Sequence, residues 1–265
     1  MVSVLGEPET QRWIEPPAPI PRIEIFDELD STNAEARRRA EAGDAGPVWI
    51  VARRQSAGRG RRGRAWSTEV GNLAATLLTQ FDGPPADAAR LSFLTALAIV
   101  DVFDAFASPA LVTIKWPNDV LLEGRKASGV LIESGALAQG RLWMAIGCGL
   151  NLRHAPTQTE RPSTRLTDHL RADVVAPPTL EEAAALLATA FGKWRTTLER
   201  SGFAAISLAW TARAAGLGES CVARVGDAEI EGTAEGLEPD GALRLRLGDG
   251  TARRLTAADI FFAPA

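Results

Sequence analysis

The chain has 265 residues, with 46% hydrophobic and 23% charged residues and a formal net charge of -4. That length accommodates one large domain with a small one, and the acidic balance argues against a general nucleic-acid binder. Two cysteines, Cys148 and Cys221, make no disulfide framework, no apolar run approaches a membrane span, and no signal peptide is evident, so a reduced, cytoplasmic setting is expected.

Residues 1–22 are rich in proline and polar residues and read as an extended leader. Arg22–Leu29 alternates apolar and polar residues, as a strand does. Ser31-Thr32-Asn33 follows, then a helix over Ala34–Ala42, with Thr32 and Glu35 spaced as a capping box and Gly43 as the stop. Val48–Ala52 is a short buried strand and Asn72–Gln80 another. Ala86–Ala107 reads as one long helix, with Leu91, Leu94, Leu97, Ala98, Asp101 and Val102 near helical spacing. Leu111–Trp116, Val120–Leu122, Ala127–Ser134 and Leu142–Leu152 are strand-like runs with short turns, which suggests an antiparallel sheet flanked by helices. A helix over Thr179–Ser201 opens on a second capping box, Thr179 with Glu182, and a shorter helix covers Phe203–Ala215. Beyond Gly216 the texture changes to four short strands, near 220–225, 228–237, 242–247 and 252–255. Asp-Gly turns among them suggest a small β-barrel, with a boundary near 216.

Four segments carry candidate chemistry. Residues 53–64 hold six arginines, no acid, and glycines at 58, 60 and 63. So many like charges cannot pack in a core, and glycines let backbone N–H groups approach a ligand. Guanidinium groups suit phosphate or carboxylate. A solvated loop or a nucleic-acid contact would have the same composition, and a Gly-rich loop of this kind is expected to order over its ligand. In Lys115-Trp116-Pro117-Asn118-Asp119, a strand end delivers polar groups to a turn, functional or simply a hairpin. Lys126 opens an apolar strand with Gly129 beyond it. An ammonium there could neutralise a carboxylate and an α-phosphate together, although a snorkelling surface lysine is equally consistent. Gly147-Cys148-Gly149-Leu150-Asn151 weakens a strand with two glycines, so something packs closely there or the strand bulges. The chain has only three lysines, Lys115, Lys126 and Lys193, against many arginines, which points to places needing a compact ammonium. His154 and His169 lack zinc-ligand spacing, so no metal site is expected from them. Cys148 reads as packing rather than nucleophile.

Taken together, Asp30-Ser31-Thr32-Asn33, GRGRRGRAW (58–66), KWPNDV (115–120), KASGVLIES (126–134) and GCGLN (147–151) resemble, in order and spacing, the biotin–protein ligase family. The resemblance covers about residues 23–262. It implies an α+β class II synthetase-like ligase fold over residues 23–215, with a mixed, mainly antiparallel sheet, and a C-terminal SH3-like β-barrel over 216–265. It implies ATP and biotin as substrates, Mg2+ accompanying ATP, and a biotin carboxyl carrier protein of a carboxylase as acceptor. Ser31, Thr32, Asn33 and Gln55 would meet the biotin head group. Arg59, Gly60 and Arg61 would close over biotin and the adenylate, Gly129 would line the biotin site, and Lys126 would be the catalytic lysine. Arg64, Trp66, Lys115, Asn118 and Asn151 would serve ATP, and Asp119 would position the acceptor lysine or a cation. The helix-turn-helix of some members has no counterpart here, so neither DNA binding nor a membrane partner is expected, while homodimerisation stays open. A lipoate–protein ligase, a non-catalytic nucleic-acid-binding protein, and a terminal barrel acting as docking adaptor for the acceptor are the competing readings.

Overall fold

The computed structural model describes residues 20–157, 159 and 162–262. The expected leader lies, up to residue 19, outside the described residues. Strand β1 (Arg22–Leu29) leads into helix α1 (Thr32–Glu41) and strand β2 (Val48–Gln55), which pairs parallel to β1. A parallel pair needs such a crossover, and α1 supplies it. Strands β3 (Leu73–Phe81), β4 (Val112–Lys115), β5 (Asp119–Leu122), β6 (Arg125–Ala136) and β7 (Leu142–Leu150) complete a seven-stranded sheet in the order β1-β2-β3-β7-β6-β5-β4. Every other pairing in it is antiparallel. The mixed, mainly antiparallel sheet that the resemblance implies is therefore present, the parallel β1–β2 pair being the departure from the purely antiparallel sheet the strand runs suggest.

Helices cover both faces. On one, α3 (Leu91–Asp104) and α4 (Leu180–Thr211) pack over Trp49, Val51, Leu77 and Ile146. α3 is apolar around almost its whole circumference, as befits a helix buried between sheet and neighbour. Its Leu94 and Phe103 are fully buried, and each such side chain contributes about 1.5–3 kcal/mol. On the other face, Ala36 and Ala40 of α1 sit on Val48, Ile50, Leu78 and Ala145. Among the described residues no helix is long and apolar enough to cross a membrane.

Two local expectations change. The capping box at Thr32 is absent: Ser31 is the N-cap, no side chain caps the helix, and Glu35 instead binds Arg38 and Arg39. The Thr32 hydroxyl is engaged elsewhere, as described below. The helix expected over 86–107 is split into α2 (Pro85–Ala88) and α3 by turns in which Arg90 N–H binds Asp87 O and Phe93 N–H binds Arg90 O. The second capping box is present, with Glu182 N–H on Thr179 Oγ1 at 3.2 Å and Thr179 N–H on Glu182 Oε2 at 2.8 Å. α4 breaks at Gly202, whose φ of 71° lies where only glycine is comfortable, so the two expected helices meet there end to end.

The C-terminal part has five strands rather than four: β8 (Ser220–Val225), β9 (Ala228–Leu237), β10 (Leu243–Arg246), β11 (Ala252–Leu255) and β12 (Asp259–Phe262). They form an antiparallel sheet, order β11-β10-β9-β8-β12, with β11 and β12 as its edges; the pairing does not show the expected closed barrel. Its apolar side is covered instead by the larger unit: Ala223, Leu243, Leu245 and Ile260 share one apolar cluster with Phe93, Phe203 and Trp210.

Candidate active site

A cavity of about 510 Å³ opens on the α1 face of the large sheet, within the range for small-molecule sites. It begins where the apolar residues under α1 give way to Thr76, Gly147 and Gly149.

At one end lie Ser31, Thr32 and Asn33, each only 4% exposed, at the start of α1. Thr32 donates from its backbone N–H to Gln55 Oε1 at 2.8 Å, with its hydroxyl 3.2 Å from the same oxygen. Gln55 Nε2 donates to Thr68 Oγ1 at 2.9 Å, which fixes the amide orientation. Thr76 Oγ1 lies 2.7 Å from both Thr32 Oγ1 and Asn33 Oδ1. Asn33 Nδ2 donates to Glu133 Oε2 at 2.8 Å. A Cβ at position 147 would stand 2.0 Å from Asn33 Oδ1, so Gly147 is what lets Asn33 lie on the sheet. Next to this end, Arg38 holds the Asp30 carboxyl down at about 2.

The arginine segment folds over the cavity as a tied loop. Trp66 N–H binds Gly58 O at 2.9 Å and Gly60 N–H binds Arg64 O at 2.7 Å, around a single turn at Arg61–Gly63. Arg61 Nη1 donates to Asn118 Oδ1 at 3.2 Å, and burial pushes the Arg61 guanidinium pKa down. Arg62 and Arg64 reach the Asp259 carboxylate of β12 at 2.8 and 3.1 Å. Arg59 is half exposed, 3.5 Å from Glu133. The loop expected to order over its ligand is thus already tied to both units.

The lysines gather around Asp119. The β4–β5 hairpin carries Trp116-Pro117-Asn118 at its tip, and Asn118 Nδ2 donates to Val130 O. Asp119 Oδ1 lies 2.6 Å from Lys126 Nζ, and Oδ2 lies 3.4 Å from Lys115 Nζ. Lys126 reaches this position because of a bulge. Leu121 pairs with Lys126 and Val120 with Ser128, leaving Ala127 as the extra residue. Side chains alternate along a strand, so Lys126 and Gly129 would otherwise face opposite sides; one inserted residue brings them to the same face. A Cβ at 129 would come 3.3 Å from Lys126 Nζ, so Gly129 leaves the ammonium its floor.

Further along β7 on that face, Gly149 lies flat under Trp66, where a Cβ would come 2.2 Å from Nε1. Lys126 Nζ sits 5.7 Å from the Trp66 ring centroid. Asn151 follows, 2% exposed; its Nδ2 donates to Thr164 O at 3.1 Å, and its Oδ1 has no hydrogen-bond partner among the described residues. A buried acceptor left open at a cavity wall calls for a donor from a ligand. Cys148 points the other way into the core, 3.6 Å from Ala75 O, its thiol pushed up to about 12 by burial.

All but one of the expected site residues line this one cavity. The exception is Lys115, which is buried behind Asp119 and donates to Ile260 O at 3.4 Å. Missed from the sequence were Asp259, in a strand that was not foreseen, and the wall formed by Ser163 and Thr159. Neither carries a sequence signal, because both arrive from distant segments. His154 is exposed on its side chain and His169 is buried, and among the described residues no group of three or more His, Cys, Asp or Glu could hold a metal.

Residues 26–151 match the Biotin/lipoate A/B protein ligase family, and residues 216–263 match the Biotin protein ligase C terminal domain. The chain is 44% identical over 235 residues to a biotin--[acetyl-CoA-carboxylase] ligase of Paracoccus denitrificans, covering 88% of this chain and 97% of that one. It is 30% identical over 237 residues to the bifunctional ligase/repressor BirA of Bacillus subtilis, covering 88% and 72% respectively. The fold matches a biotin protein ligase from Aquifex aeolicus in complex with biotin and ATP, with TM-score 0.73, 22% identity and coverage of 91% and 99%. It also matches the Leishmania major enzyme in complex with biotinyl-5-AMP, with TM-score 0.57, 25% identity and coverage of 89% and 99%. With the glycine-floored cavity, the arginine loop and Lys126 arranged as they are, this chain belongs to the biotin protein ligase family.

Proposed function

We infer that the chain is an ATP-dependent biotin–protein ligase, with residues 23–215 as the catalytic unit and 216–265 as a smaller unit fastened to its loop. The observation that carries this reading is the convergence of Lys126, Arg59, Arg61 and Arg64 with the open Asn151 acceptor on one cavity.

In the first step a biotin carboxylate oxygen attacks the α-phosphorus of ATP, and pyrophosphate leaves. Two anions must meet, so clustered cations offset their repulsion. Ser31, Thr32, Asn33 and Gln55 hold the head group in the end under α1, with Gly129 alongside. Lys126 faces the carboxylate and the α-phosphate. Arg59, Gly60 and Arg61 close over both. Trp66 and Asn151 hold the nucleoside, Asn151 Oδ1 accepting from a hydroxyl or amino group. Arg64 and Asn118 complete the ATP side, and Lys115 supports it from behind Asp119. Mg2+ would come with the triphosphate and offset its charge, and Asp119 and Asp259 are the carboxylates that line the cavity.

In the second step the acceptor lysine of a biotin carboxyl carrier protein attacks the acyl carbon of the mixed anhydride, an amide forms and AMP leaves. Asp119 is the carboxylate placed to orient that amine. Between steps the tied loop keeps water from the anhydride. A cytoplasmic setting, where ATP is plentiful, fits this reading.

The test is ATP–pyrophosphate exchange with biotin or with lipoate. Exchange dependent on biotin is expected. Exchange with lipoate alone would overturn the substrate, and none with either would overturn the ligase reading.

A further inference from the structure

His169 is buried, 8% exposed, at the end of a short turn over Leu166–His169. The chain reaches it after passing along Lys126. Lys126 N–H donates to Pro162 O, and Thr164 N–H donates to Lys126 O, both at 2.9 Å. Thr164 O in turn accepts from Asn151 Nδ2. One residue therefore braces the backbone of Lys126 and the side chain of Asn151. Thr164 is 2% exposed, and its hydroxyl lies 2.8 Å from His169 Nε2.

Four charged groups surround that contact. Arg125 Nη2 stands 3.4 Å from the same Nε2, and Glu123 Oε2 lies 3.8 Å from Nδ1. Asp168 precedes the ring and is engaged by Arg165 at 3.0 Å. A guanidinium can only donate, and a hydroxyl can donate too. Nε2 is thus the acceptor, and the single ring proton sits on Nδ1, facing Glu123. A second proton on Nε2 would end its acceptor role and face Arg125.

We propose that His169 is a positioning residue for adenylation. In its neutral form it fixes Thr164, which sets Lys126 and Asn151, and its protonation loosens the ATP side of the cavity. This rests on the roles given to Lys126 and Asn151 above. Burial, and then Arg125, hold the imidazole pKa below its ordinary 6.5. With a lowered folded value, the neutral contribution is complete above the ordinary histidine value and is lost as pH falls through the folded one.

The test is biotin-dependent ATP–pyrophosphate exchange by the full chain, its His169→Ala and its His169→Gln variants, across pH. Glutamine offers an acceptor that does not titrate. Near neutral pH, His169→Ala should raise KM for ATP about tenfold, the worth of one buried hydrogen bond, and leave KM for biotin within about twofold. His169→Gln should stay close to the parent there. As pH falls through the lowered imidazole value, the parent's KM for ATP should climb while that of His169→Gln stays flat. A purely structural role would move both KM values together, and that result would overturn the proposal. So would an acid limb shared by the parent and His169→Gln. If His169→Ala does not fold, the glutamine comparison still decides. Exchange by the parent with unaltered variants would refute this inference alone; no exchange by the parent would refute the ligase reading with it.

Discussion

Asp119 stands between two ammonium groups, 2.6 Å from Lys126 Nζ on the cavity side and 3.4 Å from Lys115 Nζ behind it. The carboxylate holds Lys126 at the cavity wall while Lys115 steadies the carboxylate from the rear. Lys126→Ala should therefore lower biotin-dependent ATP–pyrophosphate exchange by about 10²–10³-fold, as removal of one transition-state donor does. Unchanged exchange would remove Lys126 from the mechanism. Asp119→Ala withdraws the anion shared by both lysines and should cost about 3–5 kcal/mol of stability in denaturant titration, as for a broken buried pair.

Gly147 and Gly149 separate the two ends of the cavity. An alanine Cβ at 147 would strike Asn33, and one at 149 would strike the Trp66 indole. Gly147→Ala should raise KM chiefly for biotin and Gly149→Ala chiefly for ATP, each by about tenfold or more. Steady-state kinetics with either substrate varied would show the split; the same substrate affected in both would refute the division.

Arg62 and Arg64 share Asp259 across the two units. Asp259→Asn should loosen the loop, and trypsin should cut between 59 and 64 about three- to tenfold faster, with biotin plus ATP restoring part of the protection. Equal cleavage with and without ligands would count against closure over the adenylate.

Removing residues 217–265 should lower the thermal midpoint and abolish the first half-reaction, because it bares Phe93, Phe203 and Trp210 and unties the loop. Loss confined to transfer onto the acceptor would instead support a docking role for that unit.

The Cys148 thiol, raised to about 12 by burial, should resist alkylation in the native protein. At pH 8 its thiolate fraction is on the order of 10⁻⁴, so iodoacetamide should label it only after unfolding.

The sequence made the cavity's contents legible because each group sits in a compact string with its own turn or glycine. Lys126 and Asn151 could be named from local pattern, and Asn33 and Trp66 from the resemblance their strings carry. It concealed what depends on partners far along the chain. Thr32 looked like half of a capping box, but Gln55 and Thr76 take its hydroxyl. Lys115 looked like a cavity residue, yet Ile260 and Asp119 hold it behind the wall. Strand β12 is four residues without alternation, so Asp259 had no context. The brace from His169 through Thr164 depends on a segment that returns to Lys126 only in three dimensions.

The extra residue at Ala127 sets a rule of parity. If β6 paired with β5 in plain alternation, Ala127 included and the bulge lost, Lys126 would turn to the opposite side of β6, into the apolar packing under α3, without altering any cavity side chain; deleting Ala127 outright would leave Lys126 two residues from Gly129 and on the same face. Register, through the one bulged residue, therefore decides whether the Lys126 ammonium faces the cavity at all.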